Sequence, residues 1–244
     1  MGDNEEFVRG FFRRNEARSR ALAAVFVGDV DEVMEDAAAH FERMLPGMAY
    51  VDAPRKALAR DLFGCSVLLA LYLALRERGV DVHDFGRQVI EGMSAGGPAP
   101  AVNAPARDTR SPVERFREFI AAGEASREEA KPGEFVFEAF FGDGEETDWG
   151  MTVQSCAICH AFGKHDAMEL VPYMCATDDV MSDRQGQGLR RTGTLALGVQ
   201  SCDFRYKPGG EPKHIAVLHP TRIRLKSRAR VELAATPSRA RPHR

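Results

Sequence analysis

The sequence predicts an α+β fold, in which a helical N-terminal half packs on a small antiparallel β-sheet with helices in the C-terminal half. Two observations predict it. Apolar residues recur at helical spacing through residues 1–93, and the apolar period changes to two after Lys131-Pro132-Gly133. The 244 residues are 44% hydrophobic, which is enough for a buried core and too much for a disordered chain.

Three helices are predicted in the N-terminal half. The first ends at Pro46-Gly47. Its apolar residues at helical spacing are Val30, Val33, Met34, Ala37, Phe41 and Met44. The second, Leu62 to Leu75, has no charged residue and is shorter than the roughly 20 residues that span a bilayer. We therefore predict a central core helix, with Cys65 as a small buried side chain, and a third helix from Val82 to Met93.

Residues 94–110 are rich in Gly, Pro and Ala and are predicted to form a linker. A helix is predicted to follow, with Ser111 as its cap, Pro112 at its first position and Glu114 completing a capping box. The predicted buried face of this helix consists of Val113, Phe116, Phe119 and Ile120.

The alternation of Phe135, Phe137 and Ala139 with their neighbours predicts a strand, and Gly142-Asp143-Gly144 predicts the turn that follows. A second strand is predicted from Asp148 to Val153 and a helix from Ser155 to His165. Residues 192–202 are rich in Thr, Leu and Val, which predicts another strand, with a bulge at Gly198 and an extension through Phe204 and Tyr206.

The charge of the chain is unevenly distributed. The net charge is −3, but residues 211–244 carry nine Lys or Arg against two Glu, which leaves −10 on residues 1–210. A near-neutral total does not favour nucleic acid as a partner. We predict a helical region (1–93), the linker (94–110), an α+β catalytic region with most of the cysteines (111–210) and a basic, partly disordered extension (211–244).

The N-terminus, MGDNEEFVRG, has acidic residues where a signal peptide carries basic and then apolar ones. We therefore expect a cytoplasmic protein with reduced thiols and no membrane association. The sequence does not indicate the oligomeric state.

Four of the five cysteines, namely Cys156, Cys159, Cys175 and Cys202, fall close together in the sequence. Three interpretations are open. The string CAICH, residues 156–160, matches the attachment pattern of c-type haem. Alternatively, these cysteines bind zinc, with His160, His165 or Asp203 as substitute ligands. In the third interpretation, one of them is a reactive thiol.

A reactive thiol needs a lowered pKa or a nearby base. Cys175 precedes Asp178 and Asp179, and Cys202 precedes Asp203. Carboxylates raise the pKa of a thiol, so these acids fit better as general acid–base groups or as partners of a cationic substrate. The candidates for an activating cation are His160, His165, Arg190, Arg191 and Arg205.

The segments TVQSCAIC, LVPYMCATDDVMSD and GLRRTGTLALGVQSCDFRY together resemble the L-2-amino-thiazoline-4-carboxylic acid hydrolase family. The resemblance is close over residues 135–207 and extends to the N-terminal half only in general character. The matched residues are Cys156, Cys175, Asp178, Arg191, Thr192, Thr194, Gly198, Cys202, Asp203, Phe204 and Arg205. Cys159 and His160 lie outside the family pattern, which disfavours the haem interpretation.

The resemblance implies a hydrolase that acts on a C–N, amidine-like bond of a small amino-acid-derived or sulfur-containing heterocycle, in sulfur or specialised metabolism, without a cofactor. A cysteine would be the nucleophile, and we favour Cys175 because a Cys-x-x-Asp turn after Pro172 would place its thiol beside a carboxylate. Cys202 and Cys156 are the other candidates, and Cys156 would gain from a helix N-terminus. Asp178 or Asp203 would hold the amidinium.

The same resemblance implies a substrate-binding group. Arg191 or Arg205 would bind a substrate carboxylate through two hydrogen bonds. The expected substrate-binding residues are Arg191, Thr192, Thr194 and Arg205.

One alternative belongs to a different functional class. The pattern Gly198-x-x-x-Cys202-x-Phe204 is also similar to the end of small-molecule-binding domains related to vinyl reductases, in which cysteines hold zinc. This resemblance implies a ligand-binding or sensor module. Its metal ligands would be Cys156, Cys175 and Cys202.

Overall fold

The computed structural model describes residues 2–54, 56–95, 110–129 and 131–215. These residues form seven α-helices and a four-stranded antiparallel sheet, which confirms the α+β prediction. The helices are α1 (Gly2–Ala23), α2 (Val30–Met44), α3 (Ala59–Arg76), α4 (Val82–Ser94), α5 (Pro112–Glu129), α6 (Ala157–Gly163) and α7 (Val171–Gln185). The strands are β1 (Val136–Phe141), β2 (Trp149–Ser155), β3 (Leu189–Arg190) and β4 (Cys202–Tyr206).

Most of the predicted linker and of the basic extension, residues 96–109 and 216–244, lies outside the described residues. The predicted N-terminal helices are confirmed as α2, α3 and α4. Helix α3 is the centre of the core, and α1 and α2 pack against it. None of the helices in the described ranges has the length and apolarity needed to cross a membrane.

Helices α4 and α7 pack closely through Gly86. A Cβ atom added at Gly86 would overlap the ring of Tyr173, which is held in place by a 2.9 Å hydrogen bond between its hydroxyl and His83 Nδ1. We expect Gly86→Ala to lower the free energy of unfolding by about 1–3 kcal/mol, because the ring has to move. Urea unfolding measures this loss.

The control for this substitution is Gly92→Ala, on the same helix. A Cβ atom added at Gly92 meets no atom within 4 Å. This variant should gain about 0.5–1 kcal/mol from the helix propensity of alanine. Equal stability of the two variants would contradict the packing described for Gly86.

Helix α5 begins with the predicted capping box. Ser111 Oγ accepts the N–H of Glu114 at 3.2 Å, and the Glu114 carboxylate accepts the N–H of Ser111 at 2.8 Å. The predicted buried face is only partly correct, because Val113 is exposed while Phe116, Phe119 and Ile120 are half-buried. The reason is length: α5 has 18 residues and packs against the six residues of β1, so its first turn extends past the strand.

The sheet has the order β1-β2-β4-β3, and β1 and β2 form the predicted hairpin. On one face lie Val153 opposite Cys202, Met151 opposite Phe204, and Trp149 opposite Tyr206. The rings of Trp149 and Tyr206 are stacked with their centroids 3.7 Å apart. Asp203 and Arg205 lie on the other face of β4.

Of the strand predicted over residues 192–202 and its extension to Tyr206, only the part from Cys202 onward is confirmed, as β4, and residues 192–201 are not a strand. The segment contains instead a single 3-10 turn, Leu195–Leu197, which ends at Gly198 in the left-handed conformation (φ 86°) rather than at a bulge. The carboxylate of Asp203 accepts the N–H groups of Thr192 and Gly193 and the hydroxyl of Thr192. These side-chain contacts replace the sheet hydrogen bonds that a strand would have made.

Candidate active site

Helix α3 is buried from Leu62 to Leu75 except along one stripe. The stripe consists of Gly64, Cys65 and Leu68, which are half-buried, together with Asp61, which is exposed in the turn before them. These positions have the spacing i, i+3, i+4 and i+7, so they share one face of the helix. A Cβ atom added at Gly64 would meet no atom within 4 Å, so this face borders open space.

Helix α7 lies within electrostatic reach of this face, since Asp178 and Cys175 contribute to the raised pKa of the Cys65 thiol. The turn predicted after Pro172 is wrong, since Pro172 is the second residue of α7, where a missing backbone N–H costs nothing. Cys175 and Asp178 consequently lie one helical turn apart, on the same side of α7, and both are half-buried.

The exposure and the pKa of Asp178 are together consistent with a concave surface at this point. Its side chain is 45% exposed, yet its pKa is raised to about 6, chiefly because the surrounding protein displaces water from it. A carboxylate can be accessible and still poorly hydrated when it lines a depression in the protein. We call this depression the recess and define it by Asp61, Cys65, Cys156, Cys175 and Asp178.

Cys65 was predicted as a core residue and lies instead half-buried on the recess stripe. Burial raises the pKa of its thiol well above the usual value, and the charges of Asp61 and Asp178 raise it further. The prediction was wrong because an apolar sequence run does not reveal that one face of its helix borders a depression.

Arg191 forms ion pairs with Asp178 and Asp179. The Arg191 side chain is fully buried, and it donates from Nη1 to Asp178 Oδ2 at 3.2 Å and from Nη2 to Asp179 Oδ1 at 2.6 Å. It also donates from Nη2 to the carbonyl oxygen of Cys175 at 2.8 Å and lies over the ring of Phe204. Its contacts therefore fix one turn of α7 to the end of β3 and to β4.

Cys156 differs from the other cysteines in its ionisation. It caps α6, and its Sγ accepts the N–H of Cys159 at 3.5 Å. The pKa of Cys156 is lowered, chiefly by the hydrogen bond with the Cys159 thiol. The N–H groups of Cys159 and Ile158 lower it further, and together these effects outweigh burial, which raises it. Burial or neighbouring groups raise the pKa of the other four thiols, all of which lie in the described residues.

The three cysteines of the predicted site lie close enough to affect one another electrostatically. The pKa of Cys175 is raised above its usual range, chiefly by burial and then by the charges of Asp178, Cys156 and Cys202. Cys202 is buried, its Sγ accepts the N–H of Leu195 at 3.2 Å, and burial raises its pKa to about 11. Cys156 is thus the thiol most readily ionised in this cluster.

The structure separates the remaining predicted residues from this cluster. Asp203 binds the backbone of the 192–193 loop, and Thr192 donates its hydroxyl to Asp203 at 2.8 Å. Arg205 donates to the carbonyl oxygens of Met151 and Phe204 on the face of β4 away from Cys202.

Thr194 is fully buried, and its hydroxyl has no hydrogen-bond partner. It is followed by Leu195, whose N–H contacts Cys202. Thr194 is therefore the one predicted threonine that lies next to the cysteine cluster.

Asp61 was not found from the sequence. Although Asp61 is accessible, the surrounding protein displaces water from it and raises its pKa to about 7, the charge of Asp178 raises it as well, and Arg60 lowers it. Its signal in the sequence is an acidic residue one helical turn before Cys65 at the start of the most apolar helix. An acidic residue in the first turn is ordinarily interpreted as stabilising the helix N-terminus, so the sequence does not predict Asp61 as a site residue.

Tyr206 was also missed as a site residue. Burial raises the pKa of its hydroxyl above the usual range, and the charges of Asp178, Asp179 and Asp61 contribute. It therefore lies within electrostatic reach of the recess, on the same face of β4 as Cys202.

Among the described residues, no group of three or more His, Cys, Asp or Glu side chains is positioned to hold a metal ion. The zinc alternative that involves Cys156, Cys175 and Cys202 stays a prediction, which metal analysis of the purified protein tests.

The lowered pKa of Cys156 leads to a labelling prediction. With limiting iodoacetamide near neutral pH, Cys156 should be alkylated before the other four cysteines, because the thiolate is the reacting form. Peptide mass spectrometry gives the order of labelling. Cys159→Ala should slow the labelling of Cys156, since it removes the thiol hydrogen bond, whereas Cys65→Ala should not. Labelling of Cys175 ahead of Cys156 would contradict the ionisation described above.

Comparison with known proteins gives one match. The family model described as L-2-amino-thiazoline-4-carboxylic acid hydrolase matches residues 63–206, which include both walls of the recess except Asp61. Searches of curated proteins and of solved structures found no significant match.

Proposed function

The chain belongs to the L-2-amino-thiazoline-4-carboxylic acid hydrolase family, and we propose that it hydrolyses a small cyclic amidine of the 2-amino-thiazoline type at its amidine carbon. One observation carries the proposal. The recess combines the most readily ionised thiol of the protein, Cys156, with a carboxylate, Asp178, that a buried arginine holds in place. A thiolate and an anchored carboxylate are the groups that attack on a cationic amidine requires.

Cys156 is the nucleophile in this proposal. The sequence favoured Cys175, but burial and neighbouring negative groups raise the pKa of Cys175, so its thiol is protonated near neutral pH. The Cys156 thiolate is stabilised by the Cys159 thiol and by two backbone N–H groups at the start of α6. Its attack on the amidine carbon forms a covalent C–Sγ bond. One ring bond of that carbon then breaks, with its electron pair going to the departing ring atom, which takes a proton, and a later attack by water breaks the C–Sγ bond and returns the electron pair to Cys156.

Asp178 binds the amidinium in the proposed complex. Arg191 contacts Asp178 Oδ2, and the 45% of the side chain that stays accessible is available to the substrate. With a pKa of about 6, Asp178 is mainly ionised at neutral pH and so attracts a cation. Arg191 is then a positioning residue, since its own side chain is fully buried behind Asp178.

The direct test is turnover of L-2-amino-thiazoline-4-carboxylate by the purified protein. We expect loss of the heterocycle and appearance of a ring-opened product heavier by one water molecule, followed by liquid chromatography and mass spectrometry. The carboxylate-free 2-amino-thiazoline is the matched second substrate, and turnover of it measures how much the carboxylate contributes to binding. Failure of the folded protein to open either ring would refute the proposed function.

A further inference from the structure

Cys156 and Cys159 form a pair of thiols within the first turn of α6. Two backbone groups close this turn: His160 donates its N–H to the carbonyl oxygen of Cys156 at 3.1 Å, and Cys159 donates its N–H to Cys156 Sγ at 3.5 Å. The second contact holds the Cys156 side chain against the backbone of Cys159. The thiol of Cys159 is also hydrogen-bonded to the sulfur of Cys156, so the two sulfur atoms are neighbours.

The spacing of the two residues suits a disulfide. Cα atoms three positions apart in a helical turn are about 5 Å apart, which lies within the roughly 4.4–6.8 Å that a disulfide bridges. A bond between the two sulfur atoms therefore requires rotation of the side chains and no change in the fold. Protein atoms surround both thiols on most sides, yet both stay partly accessible, so a small molecule can reach them.

The other cysteines have no such contact with Cys156, and all five lie in the described residues. Cys202 Sγ accepts the N–H of Leu195, and Cys175 is related to Cys156 only through its charge. Within the pair, the mutual hydrogen bond chiefly lowers the pKa of Cys156 and raises that of Cys159. One thiol is thus ready to react with an oxidant, and its neighbour is in place to react with the product.

We propose that Cys156 and Cys159 are a redox-active pair, which a peroxide converts into a reversible disulfide. The disulfide removes the Cys156 thiolate, so the oxidised protein has no nucleophile for an amidine. This consequence for turnover rests on the proposed function, whereas the formation of the disulfide does not.

The oxidation proceeds in two steps. The Cys156 thiolate attacks one oxygen of hydrogen peroxide, the O–O bond breaks, and the other oxygen leaves as hydroxide, so that Cys156 becomes a sulfenic acid. The sulfur of Cys159 then attacks the sulfur of Cys156. The S–O bond breaks, and the departing hydroxide takes the thiol proton of Cys159 to form water. The two cysteines lose two electrons, which the peroxide gains, and a small dithiol reverses the change by thiol–disulfide exchange.

Peptide mass spectrometry of the full chain tests the pair. Residues 128–164 form one tryptic peptide that contains Cys156 and Cys159, and the other cysteines lie on separate tryptic peptides. Reduced protein is treated with hydrogen peroxide, blocked with iodoacetamide and digested. We expect this peptide without alkylation and lighter by two hydrogen atoms than its reduced form. Dithiothreitol added before the iodoacetamide should restore alkylation at both cysteines.

Two variants identify the partner of Cys156. Cys159→Ala should form no disulfide, and its Cys156 should be oxidised further to sulfinic acid, which dithiothreitol does not reverse. Cys175→Ala is the matched control and should form the disulfide as the wild type does. The proposal would be overturned by a peroxide-induced cross-link between the peptides of Cys156 and Cys175. Alkylation of both Cys156 and Cys159 after peroxide treatment would overturn it as well.

Turnover of L-2-amino-thiazoline-4-carboxylate separates this proposal from the proposed function. Peroxide should lower the wild-type rate in proportion to the fraction of disulfide, and dithiothreitol should restore the rate, but not in Cys159→Ala. Full turnover by the disulfide form would contradict the consequence drawn for Cys156. A wild type that forms the disulfide but opens no ring refutes the proposed function and leaves the redox pair standing. A wild type that opens the ring but forms no disulfide refutes the redox pair alone.

Discussion

Cys156→Ser should reduce kcat for the cyclic amidine by about 10³-fold or more, because a serine hydroxyl is far less ionised than the Cys156 thiol near neutral pH. The fold should be preserved. Cys156 caps α6, and serine is among the best N-cap residues, so the helix keeps its start. Steady-state kinetics measures the loss in activity, and circular dichroism with a thermal melt confirms the unchanged fold.

Two matched substitutions identify the role of the neighbouring thiols. Cys175→Ser should keep most of the activity, since Cys175 is protonated in the resting protein. Cys159→Ala should shift the rising limb of the rate–pH profile to higher pH, because the hydrogen bond from the Cys159 thiol is the largest influence that lowers the pKa of Cys156. Full activity of Cys156→Ser together with loss in Cys175→Ser would transfer the nucleophile to Cys175, as the sequence first favoured.

Arg191→Met should lower the free energy of unfolding by about 3–5 kcal/mol, the usual cost of removing one partner of a buried ion pair. The residue left behind is Asp179, which is fully buried and bound by Arg191 at 2.6 Å. Urea unfolding measures the change in stability. Adding Asp179→Asn to Arg191→Met should restore part of the lost free energy of unfolding, because the uncharged amide of asparagine leaves no unpaired charge in the core.

The adjacent arginine provides the control. Arg190 is half-exposed and pairs with Glu146 on the surface, so Arg190→Met should cost about 0–1 kcal/mol. Similar losses for Arg190→Met and Arg191→Met would contradict the buried clamp on α7. A normal stability of Arg191→Met would do the same.

Local sequence signals predicted most of the helices and the first hairpin. The Ser111–Glu114 capping box and the alternation of Phe135, Phe137 and Ala139 describe contacts between near neighbours in the chain, and each was confirmed. The segment from Thr192 to Cys202 has a composition typical of a strand. Only Cys202 of this segment pairs with β2, because the carboxylate of Asp203 binds the backbone N–H groups of Thr192 and Gly193, and composition does not show which partner a backbone group will bind.

The candidate site was predicted in part for a similar reason. The sequence supplied Cys156, Cys175 and Asp178, but it could not show that β4 directs Cys202 toward these residues and Arg205 away from them. Which side chains of β4 face these residues depends on how β4 pairs with β2, and the sequence alone does not show this pairing. Asp61 and Cys65 were missed because their helix is apolar on every side in sequence, and only the packing of its neighbours leaves one face open.

The stacking of Trp149 on Tyr206 provides an intrinsic fluorescence signal for this part of the protein. Trp149 is the single tryptophan of the chain, so all indole fluorescence originates from one ring, 3.7 Å from a tyrosine whose ionisation is linked to Asp178 and Asp61. Emission intensity and wavelength therefore report on the strand beneath the recess without any attached dye. We expect ligand binding at the recess to change this emission, which can be measured in the unmodified protein, in real time and at low concentration.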